Sequence, residues 1–242
     1  MSSNPILTTI TDFVGKLGRA FTSFLFPERC VGCGQLGMWL CLRCAAGLSY
    51  VDHQRCPVCR RPAIGGFTHP HCETRYNPDR FLSPFEYRDP LRAAVRRAKY
   101  WGSWALFAEF ASLLSSWLEY SDIRFLPGTA LVPMPLHFLR LWGRGYNQSL
   151  FLSKFLGERL GLPVEGSLLV RTRYTPSQTE LSAAERRKNV RGSFSCSRGV
   201  RGKNLVLVDD ISTTGATLLA AARVLKRKGA RTVWCLTLAC GR

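Results

Sequence analysis

The order of hydrophobic and polar positions near the C-terminus predicts a buried strand, a loop, a helix and a second strand. Four consecutive aliphatic residues at 205–208 are typical of a parallel strand that is buried on both faces. After two acids and a short polar turn, the Ala/Leu-rich run 220–228 favours a helix closed by Gly229, and residues 231–239 predict the next strand. This strand–loop–helix–strand unit predicts an α/β fold.

Hydrophobic patterning predicts further elements upstream. Residues 129–134 predict the first core strand and 168–170 the second, while 81–87 favour a short strand or an edge hairpin. Residues 91–100 predict a basic helix and 104–120 a longer amphipathic one. These elements, with the C-terminal unit, lead us to expect a domain over residues 77–242.

The N-terminal region has a different pattern. Apolar residues at near-helical spacing predict an amphipathic helix within residues 1–26, which packs on the rest of the protein or contacts a partner. Membrane contact is not favoured, because Lys16 and Arg19 are the only basic residues there. Residues 27–76 are rich in cysteine and form a second predicted module.

Cysteine spacing in that module predicts two metal sites. Two C-x2-C pairs are followed by a third and by an H-x2-C pair, and two such pairs close a tetrahedral Zn²⁺ site. The predicted ligands are Cys30, Cys33, Cys41 and Cys44 for one site, and Cys56, Cys59, His69 and Cys72 for the other. His71 competes with His69, interleaved pairing is possible, and a redox or merely reduced cysteine cluster is the alternative. Four protein ligands leave no open position, so we expect both zinc ions to be structural.

Net charge changes the picture of the C-terminal half. The 242 residues carry a formal charge of +18, and residues 136–242 contribute 19 basic against 6 acidic side chains. Such a surface attracts polyanions such as phosphorylated sugars, nucleic acid or an anionic membrane, although a merely soluble basic surface explains it too. Without an early basic segment or a long apolar run, we expect no signal peptide, no transmembrane segment and a cytoplasmic location.

The polar turn after the buried strand predicts a sugar-phosphate site. A loop between a strand end and a helix N-terminus presents free backbone N–H groups, which bind phosphate. Hydroxyls come from Ser212, Thr213, Thr214 and Thr217, and Gly215 and Ala216 permit close approach to the backbone. The carboxylates of Asp209 and Asp210 repel phosphate but accept hydrogen bonds from a cis-diol, and ribose 5-phosphate has both groups. The alternatives are solvated acids before a capped helix, or a Mg²⁺-binding acid of another nucleotide fold.

Residues 205–218 resemble the signature of type I phosphoribosyltransferases that binds 5-phosphoribosyl 1-pyrophosphate (PRPP). Three further stretches narrow the resemblance to the ComF/GntX family, and it extends from about Phe26 to Leu238. These stretches are Leu131-Val132-Pro133-Met134-Pro135, Arg144-Gly145-Tyr146-Asn147-Gln148 and residues 171–189. The resemblance implies a type I phosphoribosyltransferase fold, a parallel sheet flanked by helices, with an N-terminal double zinc ribbon and Mg²⁺ accompanying PRPP.

The resemblance also implies roles for individual residues. Catalysis is expected to involve Asp209, Asp210, Arg186 and Arg187. PRPP contacts are expected from the turn at 212–217 and from Lys99, Pro133, Met134, Arg144, Asn147 and Gln148. Residues 171–189 are expected to close over the ligand, with a plain solvated helix as the alternative, and an exposed basic helix face is the alternative for Lys99.

Function is therefore expected to be PRPP binding, with phosphoribosyl transfer to an acceptor that the sequence does not identify. The family is associated with DNA uptake in natural transformation, so single-stranded DNA and DNA-uptake proteins are expected partners, and nucleotide metabolism is a further setting. A non-catalytic module that binds single-stranded DNA or senses PRPP is the alternative.

Overall fold

The computed structural model describes residues 28–100, 105–173, 190 and 192–241. The chain divides into two compact units, residues 1–47 and 48–242. The predicted N-terminal helix lies outside the described residues, and the predicted domain boundary at 76/77 stays a prediction. No described helix is long and apolar enough to span a membrane.

The described part of the first unit is a small cysteine-lined fold. Its helix α1 (Leu42–Ala46) is capped by Cys41, whose side chain accepts a hydrogen bond from the Cys44 N–H. Cys30, Leu40 and Cys41 are buried. A segment with so few apolar side chains has too small a core to stabilise itself, which is the usual reason for a structural metal.

A parallel sheet forms the centre of the second unit. Its strands are β1 (Arg80–Leu82), β2 (Phe85–Glu86), β3 (Thr129–Pro133), β6 (Asn204–Ser212) and β7 (Thr232–Cys240), and a separate antiparallel pair is formed by β4 (Leu169–Arg171) and β5 (Phe194–Cys196). The order across the main sheet is β1-β7-β6-β3, with β2 also on β7. This arrangement confirms the predicted α/β class.

The described part of the second unit also contains helices. They are α2 (Leu91–Tyr100), α3 (Leu106–Tyr120), α4 (Phe138–Arg144), α5 (Gln148–Leu160) and α6 (Ala216–Arg227). Helix α6 buries its apolar side against the side chains of β6 and β7, and α5 packs against α3, β3 and β6. Since β6, α6 and β7 form a parallel crossover, the carboxyl ends of the strands meet at one edge of the sheet.

Two strand predictions differ from the structure, and a third region adopts one of its two predicted alternatives. Strand β6 does not end at Val208, because its pairing with β7 continues through Asp209↔Thr237 to Ser212↔Cys240. Residues 168–170 do not form a core strand, since β4 pairs with β5 in the separate antiparallel sheet. Of the short strand or edge hairpin predicted for residues 81–87, the structure has short strands, because β1 and β2 both run parallel to β7 and are interrupted at Ser83-Pro84.

Candidate functional site

Two acids near the carboxyl end of β6 form the centre of the site. Successive strand residues project to opposite faces, so Asp209 and Asp210 meet different neighbours. The Ser149 Oγ at the start of α5 donates a hydrogen bond to Asp209 Oδ1 at 2.7 Å. Lys99 at the end of α2 forms an ion pair with Asp210, with 2.6 Å between Nζ and Oδ2. Residues from two helices and one strand therefore meet near the carboxyl end of β6.

The two acids differ in their electrostatic surroundings. Asp210 is paired with a cation, whereas Asp209 binds a proton more readily than a free aspartate does. Desolvation and the charge of Asp210 raise the pKa of Asp209 from 3.8 to about 7, against the opposing effects of Ser149 and Lys99. Desolvation lowers the pKa of Lys99, but Asp210 outweighs it, so that the pKa lies above the ordinary value. At neutral pH, Lys99 is therefore a cation, and Asp209 holds a proton far more readily than a free aspartate does.

The turn after β6 leads directly into the N-terminus of α6. Gly215 has a left-handed backbone, with φ 72°, and α6 begins at the next residue. Thr214 Oγ1 accepts a weak hydrogen bond from the Ala216 N–H at 3.4 Å, and the Gly241 N–H holds the Ser212 carbonyl at 2.9 Å. The Ser212 hydroxyl is buried and has no hydrogen-bond partner within the described structure. The structure thus brings together the predicted turn, from Ser212 through Thr213 to Thr217, at the N-terminus of α6.

The predicted Pro133-Met134 turn is tied to the adjacent helix. Asn147 Nδ2 donates a hydrogen bond to the Met134 carbonyl at 3.1 Å, and its Oδ1 accepts one from the Ser149 N–H at 3.0 Å. Asn147 therefore caps α5 and links this helix to the end of β3. Gln148 follows as a buried residue.

Residues 144–146 reach the end of α2. The Tyr146 hydroxyl donates a hydrogen bond to the Ala98 carbonyl, one residue before Lys99. The Arg144 guanidinium lies 5.5 Å from the centre of the Tyr100 ring. These contacts explain how the predicted Lys99 and Arg144 come to the same region as the acids.

Two predicted site residues are not described by the structure, and two residues that lie at the site were not predicted from the sequence. Arg186 and Arg187 lie outside the described residues. Ser149 was missed although it follows Gln148 directly, and its position in the first turn of a capped helix was an available signal. Arg60, which packs against Gly215, was missed because nothing in the sequence relates residue 60 to residue 215.

The first cysteine cluster fits a tetrahedral zinc ion. The sulfurs of Cys30, Cys33, Cys41 and Cys44 all lie within 4.8 Å of one another. Sulfurs about 2.3 Å from a tetrahedral zinc lie roughly 3.8 Å apart, and those of Cys33 and Cys41 are 3.6 Å apart. Burial raises the pKa of Cys30, but backbone N–H donors, first among them that of Cys41, outweigh it and lower the pKa to about 6. This favours the thiolate that a metal requires.

The second cluster fits a zinc ion with one histidine ligand. The ligand atoms of Cys56, Cys59, His69 and Cys72 lie within 4.8 Å of one another, so the two sites are not interleaved. His69 Nδ1 is 3.3 Å from Cys59 Sγ, while its Nε2 is 3.0 Å from the Pro62 carbonyl. That outer contact orients a ligating imidazole. The His71 ring stacks on His69 with 5.2 Å between ring centres.

Comparison with known proteins gives two domain matches and several full-length relatives. The family models named Phosphoribosyl transferase domain and Double zinc ribbon domain match residues 148–242 and 21–74. DNA utilization protein YhgH of Escherichia coli O157:H7 is 35% identical over 216 residues, which cover 83% of this chain and 91% of that protein. Competence protein F of Haemophilus influenzae is 29% identical and covers 78% and 91%. Competence protein ComFC of Bacillus subtilis is 31% identical and covers 78% and 79%.

Proposed function

The chain belongs to the ComF-type family, which joins a double zinc ribbon to a phosphoribosyltransferase domain, and from this we propose that it binds PRPP at the end of β6. One observation carries the proposal. The two acids, each held by a polar side chain from a neighbouring helix, lie just before the turn that leads into the N-terminus of α6. A sugar phosphate has a diol for the acids and an anion for the turn.

The ligand is proposed to bind with its 5-phosphate in the turn 212–217 and its ribose hydroxyls on Asp209 and Asp210. Backbone N–H groups and the Ser212 and Thr213 hydroxyls donate to the phosphate. Each carboxylate accepts hydrogen bonds from the ribose, which fixes the C1 carbon of the sugar relative to the sheet. A diol that hydrogen-bonds the ionised acid also favours loss of the proton from Asp209.

Phosphoribosyl transfer places opposite charges at two ends of this arrangement. Positive charge develops on the ribose ring, which the carboxylates of Asp209 and Asp210 stabilise, while pyrophosphate departs as an anion. We propose that Lys99, Arg144 and the basic residues 186–188 bind the departing pyrophosphate. The Pro133-Met134 turn is proposed to lie beside the pyrophosphate. Lys99 is already a buried cation, so Asp210 and the pyrophosphate would share its charge.

Mg²⁺ is proposed to enter with the ligand. Among the described residues, the groups of three or more metal-ligating side chains are the two zinc clusters, so the acids of β6 form no protein cage. Mg²⁺ ordinarily keeps several waters and binds substrate phosphates with one or two carboxylates. When bound, it would neutralise charge on the pyrophosphate.

Calorimetry followed by a turnover assay tests the proposal. PRPP with Mg²⁺ is titrated into the zinc-loaded protein, and ATP serves as the control polyanion. We expect saturable binding of PRPP and no saturable binding of ATP. Pyrophosphate release is then measured with bases, amines and single-stranded DNA as acceptors. Binding without release under every condition would show a PRPP sensor, while equal responses to PRPP and ATP would contradict a specific sugar-phosphate site.

A second candidate function is single-stranded DNA binding, which the surface of α4 favours. This helix exposes Phe138 and Trp142, the latter to 88%, and also carries the basic residues Arg140 and Arg144. Exposed aromatic rings that stack on bases beside cations are typical of single-strand binding. The relatives' names refer to DNA utilization and competence, and we propose that this protein acts in the cytoplasm and contacts DNA-uptake proteins.

Binding of a labelled oligonucleotide tests this second function. Trp142→Ala is expected to weaken binding about tenfold, and affinity is expected to fall steeply as salt is raised. Tyr120→Ala is the matched control, since Tyr120 is an equally exposed aromatic residue on α3. Equal effects of the two substitutions, or an affinity that does not respond to salt, would contradict the assignment.

A further inference from the structure

Arg60 is positioned by the turn that carries two ligands of the second zinc site. It follows Cys59 directly, and its N–H donates a hydrogen bond to the Cys56 carbonyl at 3.0 Å. Its backbone is left-handed, with φ 66°, which costs a residue with a side chain about 1–2 kcal/mol. The metal-binding turn therefore holds Arg60 in a conformation that it would not adopt by itself.

The side chain of Arg60 extends to the proposed phosphate turn. Its guanidinium carbon lies 4.4 Å from the centre of the Phe81 ring on β1. A Cβ atom built on Gly215 would be 3.2 Å from Arg60 Nη1, closer than to any other Arg60 atom. The terminal nitrogen of Arg60 thus lies against the residue at which α6 begins.

This nitrogen is a donor without an acceptor. Arg60 Nη1 is buried and has no hydrogen-bond partner within the described structure, where no carboxylate lies at ion-pair distance from it either. A buried cationic donor left unpaired is costly, so such groups normally meet an acceptor. The adjacent turn, whose free N–H groups also need an anion, is where a phosphate would supply one.

We propose that Arg60 is a ligand of the phosphate held by the turn 212–217, so that the second zinc ribbon forms part of the sugar-phosphate site. This inference rests on the proposed function and adds one residue to it. The zinc at this site then has a role in binding, because it holds the turn that presents Arg60. A phosphate oxygen would accept the hydrogen bond that Nη1 lacks, and the guanidinium would contribute its charge.

Calorimetry with three ligands locates the contact. PRPP, ribose 5-phosphate and pyrophosphate are titrated into the wild-type protein, Arg60→Gln, Arg60→Lys and Arg61→Ala. Arg61 is the matched control because it is the next residue in the same turn, carries the same charge and is exposed. Zinc content and thermal unfolding are measured for each variant to compare folding.

Arg60→Gln is expected to weaken the binding of PRPP and of ribose 5-phosphate by the same factor, about ten- to a hundredfold. The affinity for pyrophosphate is expected to stay unchanged. Arg60→Lys is expected to recover part of the loss, and Arg61→Ala to bind as the wild type does. Equal losses for all three ligands, or an equal loss in Arg61→Ala, would overturn the inference, as would wild-type affinity in Arg60→Gln. If the wild-type protein bound no PRPP, the proposed function would fail instead.

Discussion

Lys99 and Asp210 form an ion pair of 2.6 Å between the end of α2 and the end of β6, and their side chains are only 18% and 4% exposed. A pair of opposite charges this well shielded from water links the last turn of α2, which carries basic side chains, to the centre of the sheet. Removing either partner would leave the other charge buried and unpaired.

Substitution of Lys99 is expected to destabilise the protein. Lys99→Met should lower the free energy of unfolding by about 3 kcal/mol, because Asp210 loses its counter-charge. Chemical denaturation measures the effect. Arg96→Met, on the exposed side of the same helix, is the control and should change stability little. The double variant Lys99→Met/Asp210→Asn should recover much of the loss, and an additive further loss would contradict the pairing.

Asp209 is expected to make stability depend on pH. Since its pKa is raised to about 7, the folded protein holds the proton more tightly than the unfolded chain does between about pH 4 and pH 7. The contribution of Asp209 to stability is therefore greatest at low pH and falls as the pH rises through 7. Asp209→Asn removes this titration, so its Tm should exceed that of the wild type at pH 8, and the gap should close towards pH 4.

Asp52→Asn provides the control for that pH series, since it removes a carboxylate from an exposed position. Its Tm should follow the wild-type value across the range. A constant difference between Asp209→Asn and the wild type at every pH would show that Asp209 does not titrate near neutrality.

Zinc content should distinguish the two neighbouring histidines. The structure places His69 with three cysteines, while His71 stacks outside them. Metal analysis of the purified protein is expected to find two zinc ions in the wild type and in His71→Ala, and one in His69→Ala. Loss of zinc from His71→Ala with retention in His69→Ala would reverse the assignment.

Two glycines should differ in their tolerance of alanine. Both Gly66 and Gly128 have a left-handed backbone, but a Cβ on Gly66 would lie 2.0 Å from the Phe81 carbonyl oxygen, and one on Gly128 would meet nothing within 4 Å. Gly128→Ala should therefore cost only the backbone strain, about 1 kcal/mol. Gly66→Ala should cost more than about 3 kcal/mol, because backbone must move. Similar unfolding midpoints for both variants would show that the β1 backbone at Phe81 can shift at little cost in free energy.

Sequence predicted what depends on local spacing. The cysteine pairs and the succession of β6, α6 and β7 both follow from residues a few positions apart. Strand β4 was placed in the wrong sheet, since a run of three apolar residues does not reveal its partner. The end of β6 was placed too early because its pairing with β7, rather than its hydrophobicity, carries the strand through both acids.

Contacts between distant segments could not be predicted in this way. The bond from Ser149 to Asp209 and the approach of Arg60 to Gly215 join parts of the chain that only the folded sheet brings together. Asp209, Asp210 and Lys99 were assigned to the site from the sequence, whereas Ser149 and Arg60, which lie against it, were not. The fold class and the turn were visible, whereas the partners of the acids were not.

The affinity for PRPP of a variant without the two carboxylates tests the central claim most directly. Asp209→Asn/Asp210→Asn keeps the shape of both side chains and removes the charges that are proposed to hold the ribose hydroxyls. Calorimetry with PRPP and Mg²⁺ should show at least a hundredfold weaker binding than for the wild type, while pyrophosphate binding is retained. An unchanged PRPP affinity in a folded, zinc-loaded variant would contradict a sugar-phosphate site at the end of β6.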